Sequence, residues 1–168
     1  MARSHARLPL IAALASPLES RTYALWRLDV EAGTSQLLGQ VEGSIFLWSP
    51  HGASWSPDGT RLLYIRMEGE ERAIILADAD GSGAIEVARG RFPNLLGWSP
   101  AGQIALYEET GRLYAVHADP GRPQVQAVGE FGGEWGEVFW RQDGFFFAVD
   151  GRLFRAALDG TRVQEVFP

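Results

Sequence analysis

The sequence predicts an all-β chain, an array of about four blades of four antiparallel strands each, with the first blade lacking its innermost strand. Two observations carry this. The unit "WSPDGTRLLYI" that opens at Trp55 returns as "WSPAGQIALYE" at Trp98 and, degraded, as "WRQDGFFFAVD" at Trp140, giving spacings of 43 and 42 residues. A period of about 40 to 45 residues with an aromatic at each turn is the signature of four-stranded propeller blades. Between the tryptophans, short apolar runs alternate with Gly, Pro and Asp turns, and helical periodicity is almost absent.

The elements follow in order. The first blade, residues 8–40, offers "IAALAS" as its second strand, Tyr23 to Asp29 as its third, Ala32-Gly33 as a turn and "SQLLG" as its fourth. The blades at 51–90, 94–130 and 136–168 share one grammar. An aromatic closes the innermost strand. A Ser/Pro/Asp/Gly turn follows, with Pro57 pre-setting φ and Gly59 and Gly102 tolerating positive φ, and with Asp58, Pro100 and Gly144 completing the structural repeat motif. Second strands are expected at Leu62 to Ile65, Ile104 to Tyr107 and Phe145 to Val149, and third strands at Ala73 to Ala77, Arg112 to His117 and Arg152 to Ala157. A second turn at Asp80-Gly81, Pro120-Gly121 or Asp159-Gly160 leads to a fourth strand at Ile85 to Ala88, Val125 to Val128 or Val163 to Val166.

Two readings compete at the N-terminus. Arg3 and Arg7, the apolar run Leu8 to Ala15 and the triplet Ala13-Leu14-Ala15 resemble a short secretory signal. The strand reading is favoured, because without residues 10–16 the first blade would keep only two strands. It leans the expected location toward the cytoplasm, although composition fixes no compartment.

With 168 residues the chain reads as a single domain, 1–168, able to bury about 70% of its unfolded surface. Its net charge of −6 and pI near 5.1 argue against nucleic-acid and anionic-membrane partners, which call for a basic patch. The absence of Cys excludes disulfides and thiolate metal sites, and no apolar stretch is long enough for a membrane span. All basic residues are Arg.

At Trp55-Ser56-Pro57-Asp58-Gly59 and Trp98-Ser99-Pro100, each followed by a strand, the chain resembles the WD-repeat-like blades of TolB-type β-propellers, which also form the propeller domains of prolyl oligopeptidase-type peptidases. The likeness spans nearly the whole chain. It weakens at Trp140, where Arg141-Gln142 replaces Ser-Pro. The resemblance implies a radial propeller, and members usually carry six or more blades.

Trp48-Ser49-Pro50 lies outside the blade period, in the connection "GQVEGSIFLWSPHGA" between an outer strand and the next inner strand. The corresponding connections are "RGRFPNLL" from Arg89 and "GEFGGEWGE" from Gly129. Together they carry Phe46, Trp48, His51, Phe92, Phe131 and Trp135, rings suited to a contact surface on loops that a rigid scaffold positions. The alternative is that these rings plug the channel or cover blade edges. The same face carries Glu42, Glu68, Glu70, Glu71, Glu108, Glu109, Glu130, Glu134, Glu137 and Asp150 against Arg66, Arg72, Arg89 and Arg91. That excess suits a cationic or polar partner, or a solvated acidic surface.

Catalysis finds little support in the sequence. G-x-S-x-G is absent, and His5, His51 and His117 are scattered without zinc spacing. Asp78, Asp80, Ser82 and Gly83 match half of an EF-hand loop, but Arg89 stands at its twelfth position, so a hairpin turn is the expected reading. No metal or cofactor is expected. The expected function is therefore a non-catalytic scaffold binding a protein or peptide through Phe46, Trp48, His51, Phe92, Phe131, Trp135, Glu68, Glu70, Glu71 and Glu134. The alternative is a glycan- or small-ligand-binding propeller, or a hydrolase- or lyase-type remnant, using channel-mouth carboxylates. Unpaired edges at the ends of an open arc admit a second copy of the chain as partner, completing a ring.

Overall fold

A computed structural model describes residues 10–15, 22–29, 32–42, 53–68, 70–119 and 121–167. These form four antiparallel sheets in chain order. The first contains β1 (Leu10–Ala15), β2 (Thr22–Asp29) and β3 (Thr34–Glu42), and the second β4 (Ala53–Trp55), β5 (Arg61–Glu68), β6 (Glu71–Asp78) and β7 (Ile85–Gly90). The third contains β8 (Asn94–Trp98), β9 (Ile104–Glu109), β10 (Arg112–His117) and β11 (Gln124–Glu130). The last contains β12 (Trp135–Arg141), β13 (Gly144–Val149), β14 (Arg152–Ala157) and β15 (Gln164–Phe167). Every sheet is a meander, and among the described residues the first has the order β1-β2-β3, without the innermost strand of the others. The all-β, four-blade expectation holds, and the strands lie within a few residues of their expected bounds.

Burial explains why the middle strands read as continuous apolar runs. β6 is buried from Ala73 to Ala77 and β9 from Ile104 to Tyr107, and the third blade is packed on both faces, against the second blade on one side and the fourth on the other. One layer joins Leu63, Ile74 and Leu76 of the second blade to Leu95, Trp98, Ala105, Tyr107 and Val116 of the third. The next joins Ile104, Leu106, Leu113 and Ala115 to Phe145, Phe147, Val149, Phe154 and Ala156 of the fourth. The outer strands β7 and β11 are partly exposed along their length, consistent with their place at the rim.

Turn chemistry fixes the register. The β9–β10 and β13–β14 hairpins close through Thr110-Gly111 and Asp150-Gly151, both residues of each pair having positive φ, the geometry that matches strand twist. At the Trp55 turn the buried Ser56 hydroxyl accepts the Arg61 N–H at 3.0 Å and donates to Asp58 Oδ1 at 2.6 Å. Ser99 repeats the arrangement, its hydroxyl accepting the Ile104 N–H at 3.1 Å. Asp58, Asp80 and Asp159 each accept both the N–H and the hydroxyl of the Thr or Ser two residues on. Asp80 thus serves a hairpin turn, as its position in the repeat implies.

One assignment needs correction. Gly144 is not a turn glycine like Gly59 (φ 67°) or Gly102 (φ 70°). It opens β13 and pairs with Arg141 across a two-residue turn, and its missing Cβ leaves room for the Ala156 carbonyl. With Arg141 in place of the buried serine, the longer serine-held turn cannot form.

Each blade also carries a β-bulge between its last two strands, at Leu25/Trp26, Ile74/Ile75, Leu113/Tyr114 and Leu153/Phe154. In the strand registers these are equivalent steps. Bulges of this kind raise local twist and turn the outer strand.

Candidate functional site

The connections from outer to inner strands and the hairpins between second and third strands share one end of the blades. Two connections are described, 91–93 and 131–134, and they are built alike but present their aromatics differently. In the first, Glu109 at the end of β9 reaches across, and its Oε1 accepts the Arg91 N–H at 2.6 Å and the Phe92 N–H at 3.2 Å. Its carboxylate occupies the space a Cβ on Gly90 would need. Phe92 is left 56% exposed on a pinned backbone, with the Arg72 and Arg91 guanidinium carbons 5.4 and 5.7 Å from its ring centre. Arg91 also pairs with Glu70 at 3.6 Å, and Arg89 bridges Glu71 at 3.5 Å and Glu86 at 2.7 Å.

In the second connection, Asp150 takes the role of Glu109, accepting the Glu134 N–H at 2.8 Å, while the Asp150 N–H returns to the Glu134 carbonyl at 3.0 Å. Gly133 makes room for that carboxylate. The Gly111 carbonyl accepts the Phe131 and Gly132 N–H groups, tying the neighbouring hairpin to the same loop. Phe131 turns inward. Its ring lies 4.8 Å from Phe147, 5.1 Å from Phe154 and 5.9 Å from Trp135, and Trp135 stacks on Phe147 at 5.7 Å. These two rings cover the upper edge of the layer between the third and fourth blades, the alternative to a contact surface.

The predicted site residues therefore separate. Phe92, Glu70 and Glu71 come together at one connection and are exposed, and Glu134 is exposed at the next. Phe131 and Trp135 are half-buried in the inter-blade layer. Phe46, Trp48 and His51 lie outside the described residues, and Glu68 is described only as the last residue of β5. The acidic excess is partly spoken for, since Glu108 and Glu109 on the third blade's hairpin and Asp150 on the fourth's bind backbone N–H groups. Glu109 and Asp150 organise the loops; their signal in the sequence is an acid at a hairpin and a glycine in or beside the preceding connection.

At the opposite end, a cleft of about 480 Å³ opens between the third and fourth blades, lined by Pro100, Gln103, Ile104, Trp140 and Leu158. Among the described residues, no three His, Asp or Glu side chains stand close enough to hold a metal ion.

No protein-family model matches the chain, and no curated protein matches its sequence. Solved structures do. The β-propeller domain of the trilobed protease from Pyrococcus furiosus, described as having an open velcro topology, superposes with a TM-score of 0.67 at 13% identity over 95% of this chain and 54% of that one. TolB from Acinetobacter baumannii gives 0.58 at 16% identity over 95% and 41%. An oligogalacturonate lyase in complex with manganese gives 0.58 at 14% identity over 87% and 42%. The fold is that of part of a β-propeller. These likenesses show architecture alone, and the chain spans about half or less of each of these three proteins. They include TolB beside a protease domain and a lyase, so they carry fold and leave activity to the chain's own residues.

Proposed function

We propose that the chain is a non-catalytic propeller scaffold that binds a protein or peptide segment through the connection face, with Phe92 as the anchor. The supporting observation is Phe92 itself: a large apolar ring left exposed on a backbone that Glu109 holds in place. Exposed aromatics with little freedom to lose are favoured hot spots, and guanidinium groups beside the ring supply donors for carbonyl or carboxylate groups of an incoming segment. The carboxylates Glu109 and Asp150 face backbone N–H groups rather than one another, which suits positioning more than acid–base chemistry.

The test begins with peptides selected from a displayed random library on the purified chain. Phe92→Ala should weaken the selected peptides at least about tenfold while leaving the far-UV spectrum unchanged, because a hot-spot aromatic is worth about 2 kcal/mol or more. Selected peptides that bind the variant as tightly as the parent would overturn the assignment.

A further inference from the structure

At the end of the blades away from the connection face, two successive junctions are built differently. Between the second and third blades the serine-held turns touch: a Cβ on Gly102 would lie 3.5 to 3.7 Å from Ser56, Pro57 and Asp58, ordinary contact. Arg61, whose N–H is held by Ser56, also reaches across, its guanidinium donating to the Ala118 carbonyl of the third blade at 2.6 Å. Neither link recurs between the third and fourth blades. Ile104, whose N–H is held by Ser99, stands where Arg61 stands one blade earlier. Leu158 follows the Ala157 partner of Gly144 as Ala118 follows the His117 partner of Ile104. An isoleucine thus faces the place where an arginine would bridge. The fourth blade's turn is the two-residue one at Gln142-Asp143, and it and the Pro100 turn line the cleft rather than closing it. The cleft of about 480 Å³ is the space that both losses leave.

Its lining divides in two. Pro100, Ile104, Leu158 and the half-buried Trp140 give an apolar wall, and Trp140 is held in place against the fully buried Phe145, ring centres 5.1 Å apart. Arg141 and Gln142 are its exposed polar members. The Arg141 guanidinium has no ion pair or hydrogen bond among the described residues. The acids that flank the lining in sequence are engaged elsewhere, Asp143 by Arg155 and Asp159 by the N–H and hydroxyl of Thr161. An apolar wall beside one uncommitted guanidinium is complementary to a carboxylate carried on an apolar body. The volume falls in the range of small-molecule sites, about 300 to 1,000 Å³. We propose that this cleft binds small aromatic carboxylic acids, the ring lying against Trp140, Ile104 and Leu158 and the carboxylate on the Arg141 guanidinium. A flat ring fits because an indole and a proline ring bound the space. A cationic ligand is repelled by Arg141. The site lies at the far end of the blades from Phe92 and does not depend on the peptide-binding reading.

The probes are 2-naphthoate and its neutral counterpart 2-naphthamide, titrated into the ¹⁵N-labelled full chain, with the Trp140 indole N–H resonance assigned through Trp140→Phe. 2-Naphthoate should shift that resonance saturably, together with the backbone amides of Ile104 and Leu158. 2-Naphthamide should bind at least about tenfold more weakly, the worth of a charge-assisted pair. This comparison uses the unaltered chain and so does not rest on the folding of any variant. Arg141→Gln, at an exposed position, should lower the affinity for the acid to that of the amide and leave the amide's own affinity unchanged. Phe92→Ala should change neither value, which separates this site from the connection face. Three results would overturn the proposal: acid and amide binding with equal affinity, an Arg141→Gln chain that keeps the parent's affinity for the acid, or acid-induced shifts that do not saturate or that centre on other arginines.

Discussion

Trp55 and Trp98 occupy equivalent positions, the Trp98 indole N–H donating to the Ser54 carbonyl and the buried Trp55 Nε1 having no partner among the described residues, so shrinking each to Phe separates ring packing from hydrogen bonding. Replacing indole by phenyl removes roughly 35 Å³, worth about 1 kcal/mol at about 24 cal/mol per Å³ of cavity. At Trp98 the substitution also breaks the bond to the Ser54 carbonyl, which adds about 0.5 to 1.5 kcal/mol for the bond and more for an acceptor left dry. Trp98→Phe should therefore cost about 2 to 3 kcal/mol. At Trp55 the same change removes a buried donor with no acceptor among the described residues, a relief of about 1 to 3 kcal/mol that offsets the lost packing. Trp55→Phe should thus be near neutral or stabilising in the isolated chain. Urea unfolding followed by far-UV circular dichroism gives both values, with the slope against urea checking that the unfolded states are comparable. Equal losses at the two positions, or a larger loss at Trp55, would refute the claim that the Trp55 indole lacks an acceptor.

Phe147 is fully buried among Phe131, Trp135, Phe145 and Phe154, so Phe147→Ala should cost about 3 to 5 kcal/mol and leave much of the population unfolded by thermal scanning. A Cβ at Gly90 would occupy the space of the Glu109 carboxylate, so Gly90→Ala and Glu109→Ala should each cost about 1 kcal/mol through loss of the same two hydrogen bonds. The double variant should then be little worse than either single one, and additive losses in a double-mutant cycle would contradict this. The Ser56 hydroxyl, followed by the Thr60 N–H, holds the Asp58 carboxyl below its ordinary value. That stability is fully present above the unfolded value of about 4 and is lost as pH falls through the lower folded value. Asp58→Asn should flatten the acid limb of an unfolding-against-pH curve, and an unchanged limb would count against the assignment.

Much of the fold was legible because a repeat supplies its own controls. The period of the tryptophans fixed the blades, and the Asp-Gly-Thr and Asp-Gly-Ser turns fixed where third strands end. The three strands of the first sheet, as far as the described residues go, were visible as a missing phase of the repeat. The bulges were not legible, because the extra residue lies in the short outer strand of each blade, Val87 on β7 and Val128 on β11 among them, where partial exposure leaves no strict apolar-polar alternation for it to disturb. Ser56 and Ser99 read in the sequence only as turn residues beside their tryptophans, although their buried hydroxyls close both turns; a serine before proline looks like ordinary turn chemistry until its burial is known. Gly144 misled for the complementary reason. Its spacing from Trp140 matched that of Gly59 from Trp55, but the turn between had lost its serine and shortened, so the same spacing places a different structural position.

The directions of the loop aromatics were the least legible part, and glycine explains why. Phe92 and Phe131 each follow a glycine by two residues, Gly90 and Gly129, and in both cases the space left by the missing Cβ is filled. Over Gly129 it is filled by the Phe131 ring itself, which folds back and joins the layer of Phe147 and Phe154. Over Gly90 it is filled by the Glu109 carboxylate, which arrives from the next blade and takes the two loop N–H groups. The niche cannot hold both a ring and a carboxylate. Where the carboxylate takes it, the ring has no recess beside its own strand and stands in solvent between two guanidinium groups; where the ring takes it, the loop closes and the aromatic becomes core. Whether a connection presents a ring or buries one thus depends on an acid about twenty residues away in sequence, a contact the connection's own residues do not reveal.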